Sequence, residues 1–373
     1  MILQTHTRPL LLHKLCTFAT VRSYSIDYLT NALKSAQSTR PEPRNTEAAK
    51  HDAVQLLDFT TSIITPSRLN DHFHNEAYSK ITPKQLTKSQ GFWNLAKIEL
   101  EYTLDRFDLI PDIKYEQLQK ERLASFKNRD PFNITEYDEN VARSKKTFGI
   151  KPQLLKPLPE VLLLGHTNVG KSSLINNLFL NKIEMRTSGA KTDYAFVSRR
   201  AGYTKTLNCF NVGKKLRVID SPGYGEFGEE KQGKVVLDYI AQRHLLRRVF
   251  ILIDSTYGFR VEDLQIIGHL IDSGVPFEVI FTKVDETISK YMGPVFKRSK
   301  NKKLSKNEAV KLINDTNEKI INHYKSLLDE AKIHEIVTLP KILFNNASAN
   351  KFITMRYGYK EIRCNMLLSC GLL

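Results

Sequence analysis

Residues 161–178, "VLLLGHTNVGKSSLINNL", constrain the fold more than any other stretch of this chain. An apolar run of strand length ends at Gly165, and Gly170-Lys171-Ser172 follow before a helical pattern begins. A glycine-rich loop between a strand and a helix turns its backbone N–H groups around phosphate oxygens, and the positive end of the helix faces the same anion. The stretch therefore predicts a phosphate-binding loop in an α/β protein. A glycine turn that binds no ligand is the alternative interpretation.

The chemistry of a nucleoside triphosphate gives individual positions of this loop a role. Lys171 is predicted to reach the β and γ phosphates, and the Ser172 hydroxyl is predicted to bind Mg²⁺. The predicted nucleotide-contacting residues of the loop are Gly165, Asn168, Val169, Gly170, Lys171, Ser172 and Ser173.

Strand and helix patterns alternate after Pro159. The strand candidates are "VLLLG", "TLNCFNV", "KLRVIDS", "VFILIDS", "FEVIFTKV" and "ILFNNAS". "NVGKK" is short enough for a hairpin, whereas the other connections are long enough for helical crossovers. The pattern predicts a doubly wound, mostly parallel six-stranded sheet with one antiparallel edge strand, preceded by a helical N-terminal extension.

"FTKVD" indicates which base the nucleotide carries. Thr282-Lys283-Val284-Asp285 end an apolar strand. The carboxylate of Asp285 can accept hydrogen bonds from N1–H and N2–H₂ of guanine, whereas adenine offers an acceptor at N1 and leaves the carboxylate unpaired. Lys283 is predicted to lay its aliphatic stem along the base. A strand that ends in a capped turn is the alternative.

"RVIDSPGYG" lies between these two motifs. Asp220 ends an apolar strand and is predicted to hold Mg²⁺ through a water molecule. Gly223 is predicted to offer its N–H to the γ phosphate, so that hydrolysis releases the segment that follows. The order of the three motifs predicts a guanine-nucleotide site.

The charge balance and the N-terminus point to a compartment and a class of partner. A net charge of +16 and a pI near 9.5 favour a polyanionic partner, either nucleic acid or an anionic membrane surface. Residues 1–24 carry basic, Ser and Thr residues and no acidic residue, which is typical of a mitochondrial transit peptide; a basic tail is the alternative. No apolar run approaches the roughly 18 residues of a membrane span, so we expect no transmembrane segment.

Residues 25–157 are predicted to form a helical extension and a connector without a chemical motif. "NTEAAKHDAVQLLDFTTSII" and "TPKQLTKSQGFWNLAKIELEYTLDRF" both show helical spacing. Thr82-Pro83 is typical of an N-cap followed by proline at the first helical position. Trp93 is predicted to be a core anchor.

The motifs "PEVLLLGHTNVGKSSLINNL", "AGYTKTLNCFNV", "DSPGYG", "TKVD" and "NNASANKF" resemble the EngB-type (YihA-type) GTPases of the TrmE-Era-EngA-EngB-septin-like superfamily. The resemblance covers roughly residues 158–373 and implies a P-loop GTPase that acts in assembly of the large ribosomal subunit. It also implies that Thr204 completes Mg²⁺ coordination and that the backbone of Ser348 and Ala349 supports the guanine. The catalytic residues it implies are Lys171, Thr204 and Gly223.

The chain departs from the family pattern at several places. The segment before Thr204 is longer, and a basic insertion at about 286–308 includes a cationic run of Lys297, Arg298, Lys300, Lys302, Lys303 and Lys306. Tyr224 stands where Ras-like enzymes carry the glutamine that orients the attacking water, so slow intrinsic hydrolysis is expected. Asn168 is a candidate for holding K⁺ near the phosphates, as in related G proteins; stabilisation of the loop by side-chain hydrogen bonding is the alternative.

The sequence therefore predicts a mitochondrial matrix GTPase that uses GTP, GDP and Mg²⁺. Its predicted partners are rRNA and the mitochondrial large ribosomal subunit or its assembly intermediates, bound in one nucleotide state and released in the other. Two alternatives remain open: a GTP-binding scaffold with negligible hydrolysis, and a basic GTPase associated with the inner-membrane surface.

Overall fold

The computed structural model describes residues 62–129, 134–144, 146–180, 206–225, 230–301, 305–337 and 339–373. The predicted transit peptide and the first predicted helix up to residue 61 lie outside this part of the chain, as does Thr204. Residues 57–373 form one compact unit, so the described part of the N-terminal extension packs together with the nucleotide-binding region.

The described strands form a seven-stranded sheet in the order β1-β3-β4-β2-β5-β6-β7. Its strands are β1 (Ile98–Leu104), β2 (Glu160–Gly165), β3 (Leu207–Val212), β4 (Leu216–Asp220), β5 (Leu246–Asp254), β6 (Phe277–Thr282) and β7 (Ile342–Phe344). The pairs β1–β3 and β3–β4 are antiparallel, and the pairs from β4 through β2, β5 and β6 to β7 are parallel. The mostly parallel sheet predicted from the sequence is confirmed.

Helices cover both faces of this sheet. The described helices are α1 (Pro66–His72), α2 (Pro83–Leu95), α3 (Pro111–Lys127), α4 (Glu136–Arg143), α5 (Lys171–Phe179), α6 (Glu230–Gln242), α7 (Val261–Asp272), α8 (Val284–Asn301), α9 (Lys306–Glu330) and α10 (Tyr359–Ser369). Among the described helices, none is long and apolar enough to cross a bilayer.

The central strand β2 shows why the sheet needs helices on both sides. Val161 and Leu163 pack into one buried cluster, whereas Leu162 and Leu164 pack into the other. Successive side chains of a strand point to opposite faces, so an unbroken apolar run requires two covered faces. This is the doubly wound arrangement that the sequence predicts.

The strand count differs from the prediction. Residues 98–104 were expected to continue a helix, but α2 ends at Leu95 and β1 pairs with β3. β1 carries "IELEYTL", a pattern close to period two, and its pairing satisfies backbone groups of β3 that a six-stranded sheet would leave open. β3 is therefore an interior strand, and the antiparallel edge strand is β1.

The predictions for α2 are confirmed. Thr82 is the N-cap and accepts a hydrogen bond from Gln85 N at 3.2 Å, while Pro83 occupies the first turn. Trp93 is 1% exposed, and its indole N–H donates to Arg363 O at 3.2 Å. The helix is thus fixed against α10.

A buried carboxylate organises the end of the sheet where the parallel strands begin. Glu160, the first residue of β2, is fully buried and accepts hydrogen bonds from Arg243 at 2.6 and 2.7 Å and from the Tyr239 hydroxyl. Burial lowers the pKa of Arg243, but the hydrogen bonds and charge of Glu160 more than offset this effect, so the pKa lies above its usual value. Arg243 therefore stays charged beside the carboxylate.

The N-terminal extension supplies both ends of this charge network. Arg217 of β4 lies 3.6 Å from Glu160 and donates to Glu101 of β1 at 2.6 Å. At the other end, Arg243 donates to Asp112 of α3 at 2.7 Å. Each arginine thus joins the carboxylate of β2 to a carboxylate of the extension.

The contact between Glu101 and Arg217 predicts a large loss of stability on neutralising Glu101. Side-chain exposures of 8% and 1% mean that Glu101→Gln leaves a desolvated guanidinium with less compensating charge. We expect a loss of about 3 kcal/mol in the free energy of unfolding, measured by chemical denaturation. Glu99→Gln in the same strand is the matched control, because Glu99 pairs with Lys97 in solvent and should show no measurable change.

Candidate functional site

The loop after β2 has the backbone shape that its glycines predict. A Cβ at Gly165 would lie 2.8 Å from Val169 Cγ1 and 2.9 Å from Leu252 O, so a side chain does not fit there. Gly170 has φ of +107°, and α5 begins at the next residue. Asn168 also lies in the left-handed region, at φ of +62°. The structure brings together the predicted loop residues Gly165, Asn168, Val169, Gly170, Lys171, Ser172 and Ser173 between β2 and the first turn of α5.

Lys171 is held beneath the loop. Its side chain is buried, and Nζ donates to Gly165 O at 2.9 Å and lies 3.5 Å from His166 O. Burial lowers the pKa of Lys171 to about 8, against the opposing charges of Asp220 and Asp263. An ammonium group has three donors, so one remains for an anion inside the loop, and a bound phosphate would restore the usual charge of the lysine.

Asp220 meets the requirements of a Mg²⁺ ligand. It ends β4, is 1% exposed, and its Oδ1 has no hydrogen-bond partner among the described residues. Burial raises the pKa of Asp220 to about 6, with Lys171 opposing the shift. A carboxylate oxygen that is buried and unsatisfied needs a cation or a water, and the hydroxyl of Ser172 next to Lys171 adds a second hard oxygen donor. These residues fit Mg²⁺ bound together with phosphate oxygens.

The segment after Asp220 is joined to the loop through the backbone. Thr167 N donates to Tyr224 O at 3.0 Å, and His166 and Tyr224 form a parallel bridge. A Cβ at Gly223 would lie 3.0 Å from Thr167 Cα, so a side chain there would require the loop to shift by a few tenths of an ångström. The structure thus places Gly223 beside the phosphate-binding loop, and its contact with a γ phosphate stays a prediction.

The side chain of Tyr224 is bound to α7. Its hydroxyl donates to Asp263 Oδ1 at 2.6 Å, and its ring meets the His166 ring edge-on with centroids 6.1 Å apart. The other oxygen of Asp263 accepts from Arg260 N at 2.8 Å, and Arg260 Nη1 lies 3.0 Å from His166 Nε2. Sequence analysis missed His166, Arg260 and Asp263, because no motif links the loop to the first turn of α7.

Thr282 fastens the loop to the neighbouring strand end. Its hydroxyl donates to Val169 O at 2.6 Å and lies 3.2 Å from Ile253 O, and the residue is 3% exposed. The side chain is therefore committed to the protein backbone. Thr282 thus holds the loop beside β6.

Lys283 is stretched across the same edge of the sheet. It has φ of +54°, and its ammonium group donates to Asp254 Oδ2 at 2.6 Å. Asp254 also accepts from the backbone and hydroxyl of Thr256 at 2.9 and 2.6 Å. Sequence analysis missed Asp254, although its position at the end of a buried strand matches that of Asp220. The ion pair fixes the stem that is predicted to lie along the base.

Asp285 and the loop after β7 meet at one place. Asn350 Nδ2 donates to Asp285 O at 3.0 Å and to Ser289 Oγ at 2.9 Å. Asn346 Nδ2 donates to Ser348 O at 2.7 Å, which fixes the loop that carries the exposed Ser348 and Ala349. The structure thus joins the backbone of Asp285 to the loop after β7 that carries Ser348 and Ala349.

Changing Asp285 should change the base that the site accepts. Asp285→Asn should weaken GTP binding by at least about a hundredfold and favour xanthosine triphosphate, because the Asn amide donates where xanthine presents a carbonyl. Competition binding with both triphosphates measures this. Glu286→Gln, an exposed neighbour on the same turn, is the control. Unchanged GTP affinity in Asp285→Asn would show that another residue reads the base.

The same variant should stabilise the protein that holds no nucleotide. Burial raises the pKa of Asp285 from 3.8 to about 6, so ionisation destabilises the fold as the pH rises through 6. Asp285→Asn should therefore be more stable than the wild type at pH 8 by about 1–2 kcal/mol, which is less than the full pKa shift implies because solvent reaches part of the carboxylate and screens its charge. The difference should shrink below pH 6. Urea denaturation at pH 8 and at a pH below 6 measures this difference in stability. A variant that is less stable at pH 8 would contradict the assigned desolvation.

Other predicted residues lie at or beyond the limits of the described chain. Lys297 and Arg298 are exposed near the end of α8, and Lys302 and Lys303 lie outside the described residues. The predicted insertion at about 286–308 therefore spans most of α8 and the start of α9, and its described part is helical.

Comparison with known proteins identifies relatives of the chain. Residues 160–283 match the sequence profile of a family described as a 50S ribosome-binding GTPase. The chain is 32% identical over 306 residues to MIOREX complex component 8 of Saccharomyces cerevisiae, which covers 82% of this chain and 80% of the yeast protein. It is 37% identical over 140 residues to a probable GTP-binding protein EngB of Cytophaga hutchinsonii, which covers 36% of this chain and 64% of that protein. The solved structure of an Era variant of Aquifex aeolicus with GDP·AlF₄⁻ covers 57% of both chains at 20% identity, with a TM-score of 0.34.

Proposed function

Because the chain belongs to the EngB-type GTPases and is thus a GTP-hydrolysing enzyme, we propose that it acts in mitochondrial large ribosomal subunit assembly or mitochondrial translation. The observation that carries this proposal is the extended similarity to MIOREX complex component 8, together with a family described as binding the 50S ribosome. The chain binds the ribosomal particle in one nucleotide state and leaves it in the other.

The residues of the nucleotide site support this dependence of binding on the nucleotide state. Lys171, Ser172 and Asp220 are the residues that would hold the phosphates and Mg²⁺, and the ion would supply positive charge to the phosphates. Gly223 lies against Thr167, where its N–H can donate a hydrogen bond to a γ phosphate in the loop. Loss of that phosphate removes the contact and frees the segment that leads to α6. Thr204 is proposed to complete the Mg²⁺ site.

Intrinsic hydrolysis is slow in this proposal. The hydroxyl of Tyr224 is bound to Asp263, so the side chain does not orient a water at the γ phosphate. Asn168 lies in the phosphate-binding loop, where an amide oxygen helps to hold K⁺ beside the β and γ phosphates. The ion supplies the positive charge that an arginine finger supplies elsewhere.

Potassium should therefore stimulate turnover. We expect faster GTP hydrolysis in KCl than in NaCl at equal ionic strength, by about tenfold or more, because the cation stabilises charge that develops in the transition state. Asn168→Gly, which removes the amide and tolerates the left-handed backbone of residue 168, should lose the difference. Equal rates in the two salts would contradict the potassium site.

The proposed partner is rRNA within the particle. The net charge of +16 favours a polyanion, and the cationic run that begins at Lys297 and Arg298 is one proposed contact. Residues 1–24 are proposed to direct import into the mitochondrial matrix, followed by the extension 25–157 and the G domain 158–373.

Sedimentation of a tagged copy from mitochondrial lysate tests the function. With a non-hydrolysable GTP analogue the protein should move with the large ribosomal subunit at low and moderate salt, and with GDP it should stay near the top of the gradient. Asp285→Asn supplied with GTP analogue should also stay at the top. Wild-type protein that stays at the top in both states, or that floats with cardiolipin vesicles instead, would contradict the proposal and favour the scaffold or membrane alternative.

A further inference from the structure

A groove with both leucines and polar side chains in its lining lies between α2 and α10, near the end of α5. It is lined by Thr87, Gln90 and Asn94 of α2 and by Tyr359, Lys360 and Arg363 of α10. The two helices are joined across the groove, since Gln90 Nε2 donates to Lys360 O at 3.3 Å. The lining therefore offers hydroxyl, amide, aromatic and cationic groups, and it contains no carboxylate.

Arg363 provides a buried positive charge at the base of this groove. It is 2% exposed and donates to Leu178 O at 2.8 Å, to Leu180 O at 2.6 Å and to Gln90 Oε1 at 2.9 Å. No carboxylate lies within salt-bridge distance of it in the described part of the chain. Burial lowers the pKa of Arg363 to about 10, so it remains charged at neutral pH. Carbonyl dipoles satisfy its donors without cancelling its charge.

The exposed face of α2 extends this positive surface. Residues 77–98 contain no Asp or Glu. Lys84 and Lys88 are exposed, and no ion pair involves them among the described residues. They share a helix face with Thr87 and Gly91 because residues three, four and seven positions apart lie on the same side of a helix. The two lysines therefore stand beside the groove, and a side chain added at Gly91 would meet open space.

We propose that this groove, flanked by Lys84, Lys88 and Lys360, binds the sugar-phosphate backbone of RNA. The inference rests on the proposed ribosomal function and names a contact surface for it in the extension, separate from the cationic run at residues 297–306. Lysines neutralise phosphates, and amide and hydroxyl groups bond phosphate and ribose oxygens. This mixture of donors around a cleft fits RNA better than a lipid surface, which needs charge alone.

Charge reversal at matched positions tests the groove. In the full chain, Lys84→Glu/Lys88→Glu/Lys360→Glu is compared with Lys311→Glu/Lys319→Glu/Lys325→Glu, whose lysines are exposed on α9. Both variants change the net charge equally. The probe is mitochondrial large-subunit rRNA transcribed in vitro, with retention on filters measured across a salt series. Vesicles containing cardiolipin are titrated in parallel, and GTP hydrolysis and thermal unfolding verify that each variant is folded.

The groove variant should bind the RNA at least about tenfold more weakly. Each phosphate contact to single-stranded RNA releases roughly 0.7 counterions, so the loss of three contacts should reduce the number of released ions by about two. The α9 variant should bind nearly as well as the wild type. Equal losses in both variants, or full binding by the groove variant, would overturn the groove and leave the proposed function intact. Failure of the wild-type chain to bind the RNA, with or without binding to vesicles, would overturn the RNA contact itself.

Discussion

The fold depends on the groups that compensate one buried carboxylate, that of Glu160. It begins the central strand of the sheet and is removed from water, which is unfavourable unless hydrogen bonds and opposite charge compensate it. Arg243 and Arg217 provide that compensation, and each also needs a further acceptor because a carboxylate cannot satisfy two guanidinium groups. Those acceptors are Glu101 and Asp112 of the extension. The extension thus supplies the carboxylates that balance the charges around the central strand.

The two ends of the sheet are built in opposite ways. Where the parallel strands begin, Glu160 and its two arginines form a charge network with carboxylates of the extension. Where they end, Asp220 keeps an unsatisfied oxygen and the pKa of Asp285 is raised by burial. Carboxylates in such surroundings destabilise a protein without ligand and are stabilised by a bound cation or base. A bound nucleotide and its cation would satisfy the carboxylates at the end where the parallel strands finish. At that end, the hydrogen bond from Thr282 to Val169 O holds the loop in place.

Local patterns predicted the backbone shape of the loop after β2, because the left-handed conformation of Gly170 needs no distant partner. The roles of Lys171 at the phosphates and of Asp285 at the guanine stay predictions from the chemistry of the nucleotide. β1 was mistaken for helix because Trp93 and the residues before it have helical spacing, and the pairing with β3 that ends the helix is not visible in the sequence nearby. The contact between Tyr224 and Asp263 joins residues far apart in the chain, so periodicity and motif spacing carry no signal for it. In both cases the structure is determined by contacts with residues that are distant in the sequence.

The central claim is that the extension and the nucleotide-binding region form one folding unit that supports the phosphate-binding loop. Calorimetric titration of Mg²⁺ and GDP into residues 57–373 and into residues 158–373, with thermal unfolding of both, tests it most directly. The account predicts tight binding and one cooperative transition for residues 57–373. For residues 158–373 it predicts loss of the cooperative transition and of measurable GDP binding, because Arg217 loses Glu101 and Arg243 loses Asp112, which leaves Glu160 as the carboxylate for both. Equal affinity and equally cooperative unfolding in the two would contradict it.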